Sequence, residues 1–359
     1  MSGAGERSGG SDDTVPASEP PTDVEGRPMR SSIPPFQRYR LGAELGRGGM
    51  GRVVEAFDTQ LGRTVALKEV LPTRTGVHRR FAREIQLTAR LEHPAIVPLY
   101  DSGVTPDGRP FYVMRRVTGR PLDELIKRAP NVAERLALLP NVLAAIEAVA
   151  HAHSRGVIHR DLKPANILVG ELGETVVIDW GLAKVVGESE DDAAAPSEPG
   201  GRILAPADSL HTQVGTVFGT PGFMPPEQAR GEELGTRGDV YALGATLYQL
   251  LAGAPPHAGT SATEVLGKTL RHDVEPLDEV APGAPPELVA IVDKALSFEP
   301  ETRYQDAGAL AEDVRRFTLG QLVAAHRYTR RQRLGRFARK HRAALIIGAA
   351  ASVALAVLA

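Results

Sequence analysis

Leu45-Gly46-Arg47-Gly48-Gly49-Met50-Gly51-Arg52-Val53-Val54-Glu55-Ala56-Phe57 sets a G-x-G-x-x-G motif directly before a β-type run. Glycines at this spacing also mark ordinary turns, so the flanks decide their use. A dinucleotide-binding fold places a helix after the glycines and an acid about 20 residues further on. Here the glycines join two strands, and the next marked residue is a cation, Lys68 in Val65-Ala66-Leu67-Lys68. A glycine hairpin lets backbone N–H groups approach phosphates, and a lysine on the following strand reaches the same oxygens. That suits a nucleoside triphosphate rather than NAD.

Working outward, strands are expected at Val53-Val54, Thr64 to Val70 and Phe111 to Met114, with one helix over Arg79 to Glu92. After Pro121 the apolar spacing turns helical, in Ala133–His153, Asp239–Ala252, Pro286–Leu296 and Ala307–Phe317. A strand-rich part followed by a helix-rich part predicts an α+β fold of two unequal lobes, divided near Val117. No internal repeat is present.

Composition narrows the function. The 359 residues are 42% hydrophobic and 24% charged, which excludes wholesale disorder. The absence of cysteine excludes disulfides, thiolate nucleophiles and cysteine-ligated metals. The net charge of −2 is unevenly spread: residues 326–342 carry eight Lys/Arg and no acid, leaving 34 basic against 44 acidic side chains in residues 1–325. Nucleic acid is therefore not an expected partner. Residues 1–35 hold 17 Gly, Pro or Ser and no aromatic, so a disordered tail is expected over residues 1–38. That tail lacks the apolar core of a secretion signal. An acidic, Ala/Pro-rich insert occupies residues 187–210.

The last 17 residues, Ala343–Ala359, are uncharged, and eight of them are Ala. Such weak hydropathy fits a buried helix of a further domain. The preceding basic run (Arg327, Arg330, Arg331, Arg333, Arg336, Arg339, Lys340, Arg342) favours a membrane span with its cytoplasmic flank in residues 320–342. The expected location is an inner membrane, single-pass, with the globular part in the cytoplasm and the chain able to continue beyond the span.

Further motifs follow the glycines in order. Glu84 lies in Phe81-Ala82-Arg83-Glu84-Ile85, and His159-Arg160-Asp161-Leu162-Lys163-Pro164-Ala165-Asn166 follows a helical stretch. Asp179-Trp180-Gly181 and Pro225-Pro226-Glu227 come next. This ordered set resembles the protein kinase superfamily, specifically the bacterial eukaryotic-like (Hanks-type) serine/threonine kinases, from about Tyr39 to Phe317. The resemblance implies a two-lobed kinase domain over residues 39–319, with lobes 39–117 and 118–319, and transfer of the γ-phosphate of ATP to protein Ser/Thr hydroxyls. It further implies that Leu45, Gly46, Arg47, Gly48, Gly49, Met50, Gly51, Arg52, Val53, Ala66, Lys68, Met114 and Val117 bind ATP, with Met114 as gatekeeper and Val117 in the hinge.

By the same resemblance, Lys68 held by Glu84 orients the α/β-phosphates, and Asn166 and Asp179 hold Mg2+, with Mn2+ as the alternative ion. Asp161 accepts the hydroxyl proton, Lys163 sits near the γ-phosphate, and His159 is a packing residue. Glu227 and Arg303 form an anchoring ion pair, and Asp239 braces the catalytic loop. Arg160 awaits a phosphate, with Thr212 ahead of Thr216 as the expected autophosphorylation sites, while Thr220 bonds Asp161 and Lys163. A homodimer could serve phosphorylation in trans. Loss of Lys68, Asp161, Asn166 or Asp179 would have pointed to a pseudokinase; all four are present. Three departures stand out: Trp180 for the usual Phe, expected to fill volume left by the small Thr88; Arg115-Arg116 in the hinge; and the insert in the activation segment.

Overall fold

The glycine motif separates two paired strands, β1 (Tyr39–Arg47) and β2 (Gly51–Asp58), which run antiparallel. The structure is a computed structural model that describes residues 36–47, 51–71, 77–186 and 220–329. Gly48, Gly49 and Met50 at the hairpin tip, the expected tail up to residue 35, the insert, Thr212, Thr216 and the expected span at 343–359 lie outside the described residues.

β3 (Arg63–Val70), helix α1 (Val77–Ala89), β4 (Leu99–Val104) and β5 (Pro110–Arg115) complete the first lobe. The five strands form one antiparallel sheet in the order β1-β2-β3-β5-β4. Side chains alternate between the two faces of a strand. One face gathers Tyr39, Val54, Ala56, Val65, Leu67, Phe111 and Val113 into an apolar cluster. On the other face Phe81 of α1 packs with Val70 and Tyr112. Central strand β3 is therefore buried on both sides, and Lys68 is carried inward with it.

Residues 116–118 lead into the second lobe through β6 (Gly119–Pro121), α2 (Leu122–Arg128), α3 (Val132–Leu136) and α4 (Leu139–Ser154). The single helix expected over Ala133–His153 is thus two. Pro140 has no N–H to donate and is tolerated only in a first turn, so it starts α4 instead of continuing α3. Short strands β7 (Val157–Ile158), β8 (Ile167–Gly170), β9 (Thr175–Val177) and β10 (Lys184–Val185) frame the catalytic-loop motif. β8 pairs with β6 and β9, and β10 with β7.

After α5 (Pro226–Ala229) comes α6 (Thr236–Ala252), buried continuously from Gly238 to Leu251. A helix apolar on all sides belongs at the centre of a lobe. Its Gly244 permits close contact with α9, because a Cβ there would lie 2.7 Å from the Ala295 Cβ. Helices α7 (Ala262–Arg271), α8 (Leu277–Val280), α9 (Pro286–Ala295) and α10 (Ala307–Thr318) surround it.

The packing does not stop at α10. Asp313, 2% exposed, accepts bonds from Tyr304 Oη (2.9 Å), Ala324 N (2.7 Å) and Ala325 N (3.0 Å). Val323 is buried beside it. The boundary expected at 319 thus falls inside a folded strap. A chain ending at Leu319 strips a buried carboxylate of two donors, and is expected to be less stable than one ending at Thr329 by about 3 kcal/mol. Urea denaturation compares the two; equal midpoints would show that the strap contributes nothing.

Candidate active site

Register builds the first half of the site. Lys68 lies opposite Val53 on β2 and Tyr112 on β5, and one turn of α1 brings Glu84 down onto the same face. Lys68 Nζ is 2.6 Å from Glu84 Oε1 and 3.4 Å from Asp179 Oδ1. Burial disfavours the Lys68 charge, but the two carboxylates outweigh it and raise its pKa above the ordinary lysine value. Asp179 shows the reverse balance: burial opposes its charge, while Lys68 and then His159 hold its pKa below the ordinary carboxylate value. Both groups stay charged across the physiological range.

The second half is a loop braced from below. Asp239 on α6 accepts from the backbone N–H of His159 (2.7 Å) and of Arg160 (2.9 Å), and contacts His153 Nε2 at 3.0 Å. The Ala307 N–H donates to His153 Nδ1 at 3.2 Å. A ring nitrogen that accepts is unprotonated, so the His153 proton lies on Nε2 and faces Asp239. Burial disfavours the Asp239 charge, yet the His153 bond and the loop N–H groups hold its pKa below the ordinary value. The brace holds Arg160 at φ 72°, and Asp179 sits at φ 63°. Both are left-handed conformations that cost a non-glycine residue about 1–3 kcal/mol, and such strain gathers where side-chain aim matters.

What the loop presents is a proton acceptor beside a cation. Lys163 Nζ donates to Asp161 Oδ2 (2.7 Å) and to Thr220 Oγ1 (2.6 Å), and Thr220 Oγ1 donates to Asp161 Oδ1 (3.0 Å). Asn166 Nδ2 donates to the Asp161 carbonyl at 2.8 Å. Among the described residues nothing bonds Asn166 Oδ1 or Asp179 Oδ2, so two oxygens remain for a hard cation. No cluster of three or more metal-binding His, Cys, Asp or Glu occurs among the described residues. Two oxygen ligands suit Mg2+, which fills its octahedron with phosphate oxygens and water. At Gly46 a Cβ would meet nothing within 4 Å, so the strand end faces open space that phosphates could occupy.

The other expected nucleotide residues divide. Ala66 and Met114 are cross-strand partners on β3 and β5, and Val117 follows in the linker between the lobes. Val53 shares the Lys68 face. Gly51 must be glycine, because a Cβ would lie 2.3 Å from the Glu69 carbonyl oxygen. Two arginines turn elsewhere: Arg47 pairs with Glu44 at 2.7 Å, and Arg52 Nε bonds Glu69 at 2.7 Å on the face opposite Lys68. Leu45 is 47% exposed. In the linker, Arg116 pairs with Glu55 of β2 at 2.8 Å.

The anchoring pair is present. Arg303 holds Glu227 with two bonds of 2.6 and 2.9 Å, and bonds the carbonyls of Ser297, Phe298 and Arg237. Trp180 is 1% exposed, its ring 4.6 Å from that of His159, and its Nε1 is buried with no partner among the described residues. Its ring neighbour is His159, and Thr88 is buried as well. Four residues escaped sequence reasoning: Tyr112, which bonds Glu84; His153, behind Asp239; Gln228, which donates to the Arg160 carbonyl at 3.1 Å; and Lys184, buried opposite Ile158. Only His153 carried a signal, six residues ahead of His159 on the last turn of an expected helix.

Comparison with known proteins agrees with this geometry. A family profile described as the protein kinase domain matches residues 39–314. The chain is 39% identical over 291 residues to the serine/threonine-protein kinase PknB of Mycolicibacterium smegmatis, covering 79% of this chain and 43% of that protein. A probable serine/threonine-protein kinase of Streptomyces coelicolor is 36% identical over 294 residues, covering 80% of this chain and 41% of that protein. The serine/threonine-protein kinase PknD of Protochlamydia amoebophila is 32% identical over 312 residues, covering 82% of this chain and 31% of that protein. The chain therefore spans less than half the length of these relatives.

Proposed function

The chain belongs to the protein kinase family, in its bacterial serine/threonine branch, and from that premise we propose that it transfers the γ-phosphate of ATP to Ser/Thr hydroxyls of proteins. The observation that carries this reading is the Thr220 hydroxyl, already hydrogen-bonded to Asp161 and Lys163. It supports the reading by placing an alkyl hydroxyl between the Asp161 carboxylate and the Lys163 ammonium.

Asp161 takes the proton of the attacking hydroxyl as its oxygen bonds to the γ-phosphorus, and the bond from that phosphorus to the bridging oxygen breaks to release ADP. Lys68, fixed by Glu84, orients the α/β-phosphates, and Lys163 offsets charge gathering on the transferred group. Asn166 Oδ1 and Asp179 Oδ2 would hold Mg2+ or Mn2+, which supplies charge neutralisation on the phosphates. Incubation with labelled ATP and mapping of modified residues tests the reading. Absence of Ser/Thr phosphorylation by the wild-type chain would end it.

Tethering belongs to the proposal. Among the described residues no helix is long and apolar enough to cross a membrane, and residues 343–359 lie outside them. The uncharged run after eight Lys/Arg supports a single span with the kinase on the cytoplasmic side of a bacterial inner membrane. Residues 1–359 are expected to sediment with membranes and a chain ending at Thr329 to stay soluble. Recovery of the longer chain in the soluble fraction without detergent removes the span.

Regulation is read from two cations. Arg160 adjoins Asp161, and β10 places Lys184 opposite Ile158, two residues before it. Lys184 Nζ lies 3.6 Å from the Glu233 carboxylate, which is largely exposed. A phosphate on the activation segment adds about −1.5 to −2 charge and would pair with both. Phosphorylation at Thr212, then Thr216, in trans between two copies, is expected to produce a lag that preincubation with ATP removes. Thr212→Ala with Thr216→Ala lowers activity and leaves ATP binding intact; lag-free, full activity in that double mutant refutes the mechanism.

A further inference from the structure

Tyr112 sits on β5 directly opposite Lys68, and its hydroxyl donates to Glu84 Oε1 at 2.8 Å. The same oxygen receives Lys68 Nζ at 2.6 Å, while Glu84 Oε2 is buried with no partner among the described residues. Both donors therefore converge on one atom, and no third donor to the carboxylate occurs among the described residues. Tyr112 is 5% exposed and Glu84 2% exposed, so water does not substitute for either bond. The Tyr112 ring also packs on Phe81 of α1, with centroids 5.2 Å apart, and Lys68 Nζ lies 5.8 Å from the ring centroid.

We infer that Tyr112 is a positioning residue that holds helix α1 and Glu84 against the sheet independently of Lys68. The inference rests on the kinase reading for its kinetic consequence but not for its structural one. Lys68 divides its charge between Glu84 and Asp179 and must turn toward phosphates when ATP enters, which weakens its hold on Glu84. The phenol has no such competing duty. Burial, then the Glu84 charge, raise its pKa well above that of an ordinary tyrosine, so it remains an O–H donor at every working pH. A phenylalanine at this position would preserve the ring packing and forfeit only the link to Glu84.

The test uses the full chain and reads α1 directly. Amide hydrogen exchange over residues 77–89 is compared in wild type, Lys68→Met, Tyr112→Phe and the double variant. Lys68→Met is expected to keep wild-type protection of α1, whereas Tyr112→Phe lowers it and the double variant loses it. In the active protein, Tyr112→Phe is expected to lower kcat/KM for Mg-ATP about tenfold, the lower end for a buried bond to a charged group. Val113→Ala, on the opposite face of β5, serves as a control for general loss of stability. Equal exchange and equal kcat/KM in Tyr112→Phe and wild type overturn the inference. So does release of α1 by Lys68→Met alone, or an equal effect from Val113→Ala. If the wild type transfers no phosphate, the exchange comparison still decides the role of Tyr112, so the two failures are distinguishable.

Discussion

Asp161→Asn is expected to lower phosphotransfer by about 10²–10⁴-fold while ATP affinity stays within about twofold of wild type. The amide keeps the shape of the carboxylate and can still accept from Thr220 or Lys163, so the loop should remain in place. It cannot take a proton at neutral pH. Lys68, Glu84 and Asp179 make their contacts with one another, Lys68 bonding both acids, and Asn166 reaches Asp161 chiefly through its backbone carbonyl at 2.8 Å, which the substitution leaves in place. Single-turnover transfer from labelled ATP, measured beside equilibrium nucleotide binding, separates the two properties. Transfer by Asp161→Asn at the wild-type rate would remove Asp161 from the chemistry, and a parallel collapse of binding would mean that the loop itself had been disturbed.

The second large effect concerns stability. Arg303→Ala is expected to cost about 3–5 kcal/mol, because it leaves Glu227 ionised and buried without its partner. The Arg303 side chain is 0% exposed and fully engaged: two bonds to Glu227, three to backbone carbonyls, and a guanidinium 4.9 Å above the Tyr241 ring. Lysine cannot reproduce the planar fork, so Arg303→Lys should recover only part of the loss. Urea denaturation of the three proteins gives the ordering. A cost below about 1 kcal/mol for Arg303→Ala would place the pair with exposed ion pairs, whose contribution is of that size.

These residues differ in how far the sequence revealed them. Lys68, Glu84, Asp161, Asn166 and Asp179 were legible because each lies in a short motif whose order survives without coordinates. The strands of the first lobe were legible because β3 carries Thr64, Val65 and Val70 and β5 the Phe111-Tyr112-Val113-Met114 run, residue types that favour strands. Other features depend on register or on contacts far apart in the chain. Tyr112 reads as one more buried aromatic until the β3–β5 pairing sets it beside Lys68. Arg52 falls within the glycine motif, yet period-two alternation sends its side chain to Glu69, away from the cleft. Arg160 adopts positive φ although arginine does not favour it, in a loop whose N–H groups Asp239 holds in place. The two-helix break at Pro140 was visible in the letters, but apolar spacing concealed it.

Asp313 has a consequence for how such a protein can be recombined. Its donors Ala324 and Ala325 lie beyond the 39–314 span of the family profile. A crossover between residues 314 and 323 would join an α10 from one parent to a following segment from another, and the buried acid would keep its two backbone donors only where that segment follows the same path. The exchangeable module therefore reaches past the last helix, through at least Ala325. Within this strap, selection would act on backbone placement more than on side-chain identity, since the groups that satisfy Asp313 are amide N–H donors that any residue except proline supplies.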